Sequence, residues 1–123
     1  MAVVNQISLS AVTPTTGYGD NQSPAFHLGP GVVVLVNYTN VSATSLEVKL
    51  EIQPENVDAS NWYSPTAPAG TDLSQILQVT SSGFYCVAPL DIVGLEVPPR
   101  ALVRLSVKET GTAGGTVTVS VMD

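Results

Sequence analysis

Residues 45–53 read SLEVKLEIQ, and this stretch decides the fold class. Apolar Leu46, Val48, Leu50 and Ile52 alternate with Glu47, Lys49 and Glu51. Successive side chains of a strand point to opposite faces, so a period of two predicts a half-buried antiparallel strand. A helix would return its apolar residues every third or fourth position, and this stretch does not. Burying the four apolar side chains contributes roughly 6–12 kcal/mol gross, before chain entropy is subtracted.

The same period recurs on both sides. Residues 32–39, VVVLVNYT, open with an apolar run that predicts cover on both faces. Asn40, Val41 and Ser42 follow as a turn, so this strand and the next are expected to pair as a hairpin. In residues 100–109, RALVRLSVKE, Ala101, Val103, Leu105 and Val107 point inward while Arg100, Arg104, Ser106 and Lys108 point outward. TGTAGG (110–115) turns the chain into TVTVSV (116–121), and these last two strands are expected to form the clearest pair. Residues 3–9, 25–28 and 83–89 add short strands, the last ended by its proline. Residues 71–80, TDLSQILQVT, suit neither period well; Thr71 or Asp72 can cap a single helical turn at 72–75, after which a strand begins. Residues 11–24, 64–72 and 90–99 carry the Pro and Gly punctuation of loops. Six to eight short strands between turns make an all-β chain, an antiparallel β-sandwich or jelly roll. No linker divides it: residues 1–30 supply an N-terminal strand or arm and a loop, and residues 31–123 the sandwich body.

At 123 residues the chain suits one domain and can bury roughly two thirds of its unfolded surface. Its apolar fraction is 44%, but charged residues are only 11%, against ~25% in ordinary domains. So little charge offers little repulsion between neighbours, which is compatible with assembly. The formal net charge is −6, and Arg100, Arg104 and Lys108 are three of only four bases. A nucleic-acid binder would carry a broad basic footprint, so no nucleic-acid partner is expected. No apolar run reaches the length of about 18 residues that a membrane helix needs, so no membrane role is expected. MAVVNQISLS lacks the basic start and long apolar core of a signal peptide. The sequons at Asn37 and Asn40 therefore read as strand-end and turn residues. Cys86 stands alone, which excludes an intrachain disulfide or a CxxC motif, and its apolar setting GFYCVAP predicts a buried, inert thiol.

No arrangement suited to catalysis emerges. His27 is the only histidine and has no companion at metal-ligand spacing, and no serine sits in GxSxG. Glu47 and Glu51 share a strand face about 13 Å apart by strand rise, too far for the paired work of a glycosidase. GYGD (17–20) and GTAGG (111–115) lack the strand-to-helix setting of a phosphate loop. ENVDASN (55–61) is rich in oxygen but lacks EF-hand order and reads as a solvated loop. The expectation is a protein that is not an enzyme and holds no cofactor or metal.

The candidates that remain are for contacts. Arg100 and Arg104 share a strand face, where they either pair with acids such as Glu47 and Glu51 or reach a partner, since arginine is enriched in interfaces. Trp62, the only tryptophan, and Tyr63 face opposite sides if their segment is extended. Trp62 is expected to plug the core and Tyr63 to make outside contact. Val3, Val4, Ile7 and Leu9 either complete the protein's own sandwich or add a strand to a partner's sheet edge.

The order of these features resembles a class of small structural β-sandwich proteins in tailed-phage virions, the head decoration (cement) proteins and minor head or tail components. Their alternating strand leads to an Asp-Gly-x-x-Trp-like turn, here Asp58-Ala59-Ser60-Asn61-Trp62, with Ala59 where glycine is common. A G-x-Y strand follows, matched by Gly83-Phe84-Tyr85; an arginine-bearing strand, a Gly/Thr turn and a Thr/Val strand close the chain, matched by Arg104 and by residues 111–121. The resemblance spans about residues 31–121. It implies a non-enzymatic virion protein, assembled in the host cytoplasm, that decorates or stabilises a capsid. Its implied partners are the major capsid protein or another virion protein and further copies of itself, a trimer being one form. In decoration proteins a segment such as residues 1–30 often forms the arm that touches the capsid. The competing expectation is a carbohydrate- or receptor-binding module of a phage tail, which needs an exposed Trp62 or Tyr63.

Overall fold

A computed structural model describes residues 6–12, 17, 21–53, 61–92, 95, 97 and 101–122. These residues form β1 (Gln6–Val12), β2 (Phe26–His27), β3 (Val33–Thr39), β4 (Ala43–Gln53), β5 (Gln75–Val79), β6 (Gly83–Val87), β7 (Leu102–Gly111) and β8 (Thr116–Met122). They lie in two four-stranded antiparallel sheets, the first ordered β1-β8-β3-β6 and the second β2-β7-β4-β5. Successive strands alternate between the sheets except at β4–β5, which is the strand order of an eight-stranded jelly roll.

The core is built from the alternation. Leu46, Val48, Leu50 and Ile52 of β4 and Val103, Leu105 and Val107 of β7 are buried. They form one cluster with Val34, Val36 and Tyr38 of β3 and Val117, Val119 and Val121 of β8. Each inward position expected on these strands is filled as expected.

The pairing is where expectation fails. β3 and β4 do not form a hairpin, and β7 and β8 do not pair; each turn carries the chain from one sheet to the other. A short turn sets how far apart two strands begin, but not which sheet takes the second. Side chains brace each corner. At the first, the Asn40 carboxamide accepts from Ala43 N at 2.9 Å and donates to Ala43 O and Thr80 O, while Asn40 N donates to Ser82 Oγ. One asparagine thus binds the β3–β4 and β5–β6 corners together.

At the second, Glu109 at the end of β7 is fully buried. Its carboxylate accepts from Tyr38 Oη on Oε2 at 2.5 Å and from the backbone N–H groups of Gly114 and Gly115 on Oε1, each at 3.0 Å. Burying a carboxylate is costly unless it is well bonded, and here both oxygens have donors. The bonds tie the end of β7 to β3 and to the returning chain. Gly115 is required by space, since a Cβ there would stand 2.4 Å from Thr39 O and 2.7 Å from Glu109 Oε2. Burial, then the bond to Glu109, raises the Tyr38 phenol well above its ordinary value.

Other expectations need correction. Residues 72–75 contain no helical turn: Asp72 Oδ1 accepts from Ser74 N at 2.8 Å and Ser74 Oγ at 2.6 Å, a local turn that replaces a helix cap. These bonds lower the Asp72 carboxyl below its ordinary value. Cys86 is exposed rather than buried, because it falls on the outward phase of edge strand β6. Ser106, expected outward, is buried, because Gln22 bridges to it from the segment before β2. That segment extends the second sheet: Ser23 N donates to Leu105 O, Ser23 Oγ accepts from Leu105 N, and Val107 N donates to Asn21 O. β1 pairs with β8 of the same chain, with Ile7 opposite Val121 and Leu9 opposite Val119. Val3 and Val4 lie outside the described residues.

Candidate interaction surfaces

The two sheets present outward faces of different chemistry. On the second sheet, Glu47, Lys49 and Glu51 of β4 stand opposite Lys108, Ser106 and Arg104 of β7. Arg104 Nε donates to Glu51 Oε1 at 3.1 Å, Ser106 Oγ donates to the same oxygen at 3.0 Å, and Lys49 Nζ lies 3.9 Å from Glu51 Oε2. Glu47 is shared by Lys108 Nζ at 3.5 Å, Thr110 Oγ1 at 3.0 Å and Gln75 Nε2 at 3.0 Å. Glu51 is thus occupied by two cations and a hydroxyl and Glu47 by one cation and two neutral donors, an arrangement that fastens β7, β4 and β5 side by side.

Arg104 has a second contact. Its guanidinium carbon lies 4.4 Å from the centroid of the Trp62 ring, within cation–π range. Trp62 is therefore not the core plug expected of it; it lies half-buried on the outward face of the second sheet. The cause is register. Tyr63 exchanges two backbone bonds with Ile52, each 2.8 Å, so Tyr63 stands opposite an inward residue and its neighbour Trp62 falls on the other side. The two aromatics do alternate, with Trp62 outward instead of in the core, while Tyr63, though paired with an inward residue, is exposed as expected. Tyr63 is 49% exposed beside the end of β4. Arg100 and the loop containing Asp58 and Ala59 lie outside the described residues.

The first sheet is different. None of the residues of β1, β3, β6 and β8 is charged. Its outward positions on β3 and β6 include Val33, Leu35 and Asn37, with Phe84 opposite Asn37 and Cys86 opposite Leu35. Phe84 is 64% exposed, and β6 is an edge strand. Sequence reasoning placed Phe84 in a strand but assigned it no role; the signal was the alternation of GFYCV, which puts Phe84 and Cys86 on one face and Tyr85 and Val87 on the other. It also missed Glu109, although extending the inward series Val103, Leu105, Val107 by one step reaches that residue.

His27 is exposed, with Nδ1 3.3 Å from Ala101 O. Among the described residues no three His, Cys, Asp or Glu side chains gather as a metal site would require, and no helix is long and apolar enough to cross a membrane. No family model matches the sequence, and neither a curated protein nor a solved structure matches it.

Proposed function

We propose that the chain is a non-enzymatic structural protein of a phage virion, assembled in the host cytoplasm, that decorates or stabilises a capsid as a homo-oligomer bound to the major capsid protein or another virion protein. The observation that carries this reading is the first sheet's outward face, uncharged on all four strands and bearing Phe84 64% exposed on edge strand β6. An exposed aromatic ring on an uncharged face and an exposed strand edge both invite cover. The order of motifs over residues 31–121 supports the same reading. The tail-module alternative rests on Tyr63 alone, 49% exposed, because the Trp62 ring that would stack on a sugar is already in contact with Arg104.

The test is co-sedimentation of the purified protein with capsids built from the major capsid protein of the same phage. Saturable binding at a fixed copy number per capsid supports the proposal. Absence of binding, together with retention on a glycan array that a Tyr63→Ala variant loses, would replace it with the tail-module reading.

A further inference from the structure

We infer that the outward face of β3 and β6, centred on Phe84, is the contact through which two copies of this chain meet about a two-fold axis. This rests on the reading of the chain as an oligomeric assembly protein and adds the surface and its occupant.

Two observations and a rule of symmetry select the occupant. The chain carries a net charge of −6, so two copies repel unless they meet where charge is sparse. The charged residues of the strands, Glu47, Lys49, Glu51, Arg104, Lys108 and Glu109, all belong to the second sheet, and the first sheet's strands have none. A two-fold contact must be complementary to itself: a patch of one sign opposes its own image, whereas an uncharged patch does not. Among the described residues, the strands of this face carry no charge with which to recruit a nucleic acid, an anionic membrane or an oppositely charged protein. What it fits is another uncharged β-face of the same twist.

The contact chemistry is then specific. Phe84 is an aromatic anchor of the kind that dominates interface energetics, and its ring is the most exposed aromatic among the described residues. Cys86 lies two residues along the same strand face, with Leu35 opposite it on β3. The two-fold brings the Cys86 thiols of the two copies into one neighbourhood.

The experiment is light scattering and sedimentation velocity on the full chain over a wide concentration range, for wild type, Phe84→Lys and Tyr63→Lys. Wild type should form a dimer that persists at high salt, since no ion pair supports it. Phe84→Lys should weaken association roughly 30-fold or more, and Tyr63→Lys should leave it unchanged. A short bis-maleimide should crosslink wild-type dimers through Cys86, and prior labelling of Cys86 with a bulky maleimide should yield monomers, a readout that needs no mutant to fold. A wild type that stays monomeric, a trimer, or a Phe84→Lys protein that associates like wild type would overturn the inference. Capsid co-sedimentation is scored separately. A monomer that still binds capsids overturns the two-fold contact and leaves the proposed function standing; a Phe84-dependent dimer that ignores capsids does the reverse.

Discussion

The two outward faces come from strands with the same period and similar propensity, yet one is charged and internally bonded while the other is uncharged and open. On the second sheet Glu47 and Glu51 meet Lys108, Lys49 and Arg104 within the face, and Arg104 in turn covers Trp62. On the first sheet Phe84 and Cys86 project from an edge strand with no charged neighbour in the sheet. The difference teaches that outward polarity alone does not mark a binding face. A face whose charges satisfy one another has little left to offer a partner, whereas an uncharged face with an exposed ring gains by being covered.

Both faces depend on the corner that holds their sheets together, so the largest effect is expected there. Glu109→Ala leaves Tyr38 Oη and the N–H groups of Gly114 and Gly115 without their acceptor, and should destabilise by roughly 3–5 kcal/mol. Glu109→Gln, which keeps one acceptor oxygen, should recover much of that in urea titrations. Gly115→Ala forces a Cβ onto Thr39 O and should cost about 3 kcal/mol, read as a lower urea midpoint with an unchanged slope.

The same corner predicts a pH dependence. The Tyr38 phenol is raised in the folded state by burial and by Glu109, so the neutral form is favoured by folding. That contribution is fully present below the ordinary tyrosine value of about 10 and is lost as pH rises through the raised folded-state value. Alkaline unfolding followed by circular dichroism should show the loss beginning above pH ~10, and Tyr38→Phe should remove this part of the slope. Persistence of the slope in Tyr38→Phe would assign it to other groups.

Smaller effects separate the faces themselves. Arg104→Ala removes the Trp62 contact and one partner of Glu51, and should cost about 1 kcal/mol. Because Trp62 is the only tryptophan, its fluorescence should become more accessible to acrylamide; unchanged quenching would mean that Arg104 does not shield the ring. Phe84→Lys should change monomer stability least, within about 0.5 kcal/mol, because its ring is mostly exposed. A large loss of stability would turn Phe84 from a contact residue into a structural one and erase the contrast.

The legible part of the fold was its periodicity. From Leu46 to Ile52 and from Ala101 to Val107, every residue expected inward is buried, because a strand with one dry face must alternate. Turn chemistry was legible as punctuation: Asn40 and residues 110–115 do turn the chain. The destination of each turn was not. Asn40 bonds to Thr80 and Ser82, about forty residues away, and Glu109 bonds to Tyr38, 71 positions away in the chain. Such contacts are invisible to any local window. Trp62 was misplaced for a related reason: its face is set by which residue of β4 takes Tyr63 as partner, and a slip of one residue reverses both aromatics. Cys86 was misread because its apolar neighbours Tyr85 and Val87 belong to the opposite face.

By itself, then, the sequence determined that this protein is an all-β sandwich, which side chains of its long strands turn inward, and that its charge is sparse, because these follow from alternation and composition. Only the tertiary structure decided that successive strands cross between sheets, that Glu109 is buried as the pin of a corner, and that the charged residues of the strands all fall on one sheet. Those outcomes depend on strand partners chosen across the whole chain, where the energy of a contact is set by what lies opposite and not by what lies next in sequence.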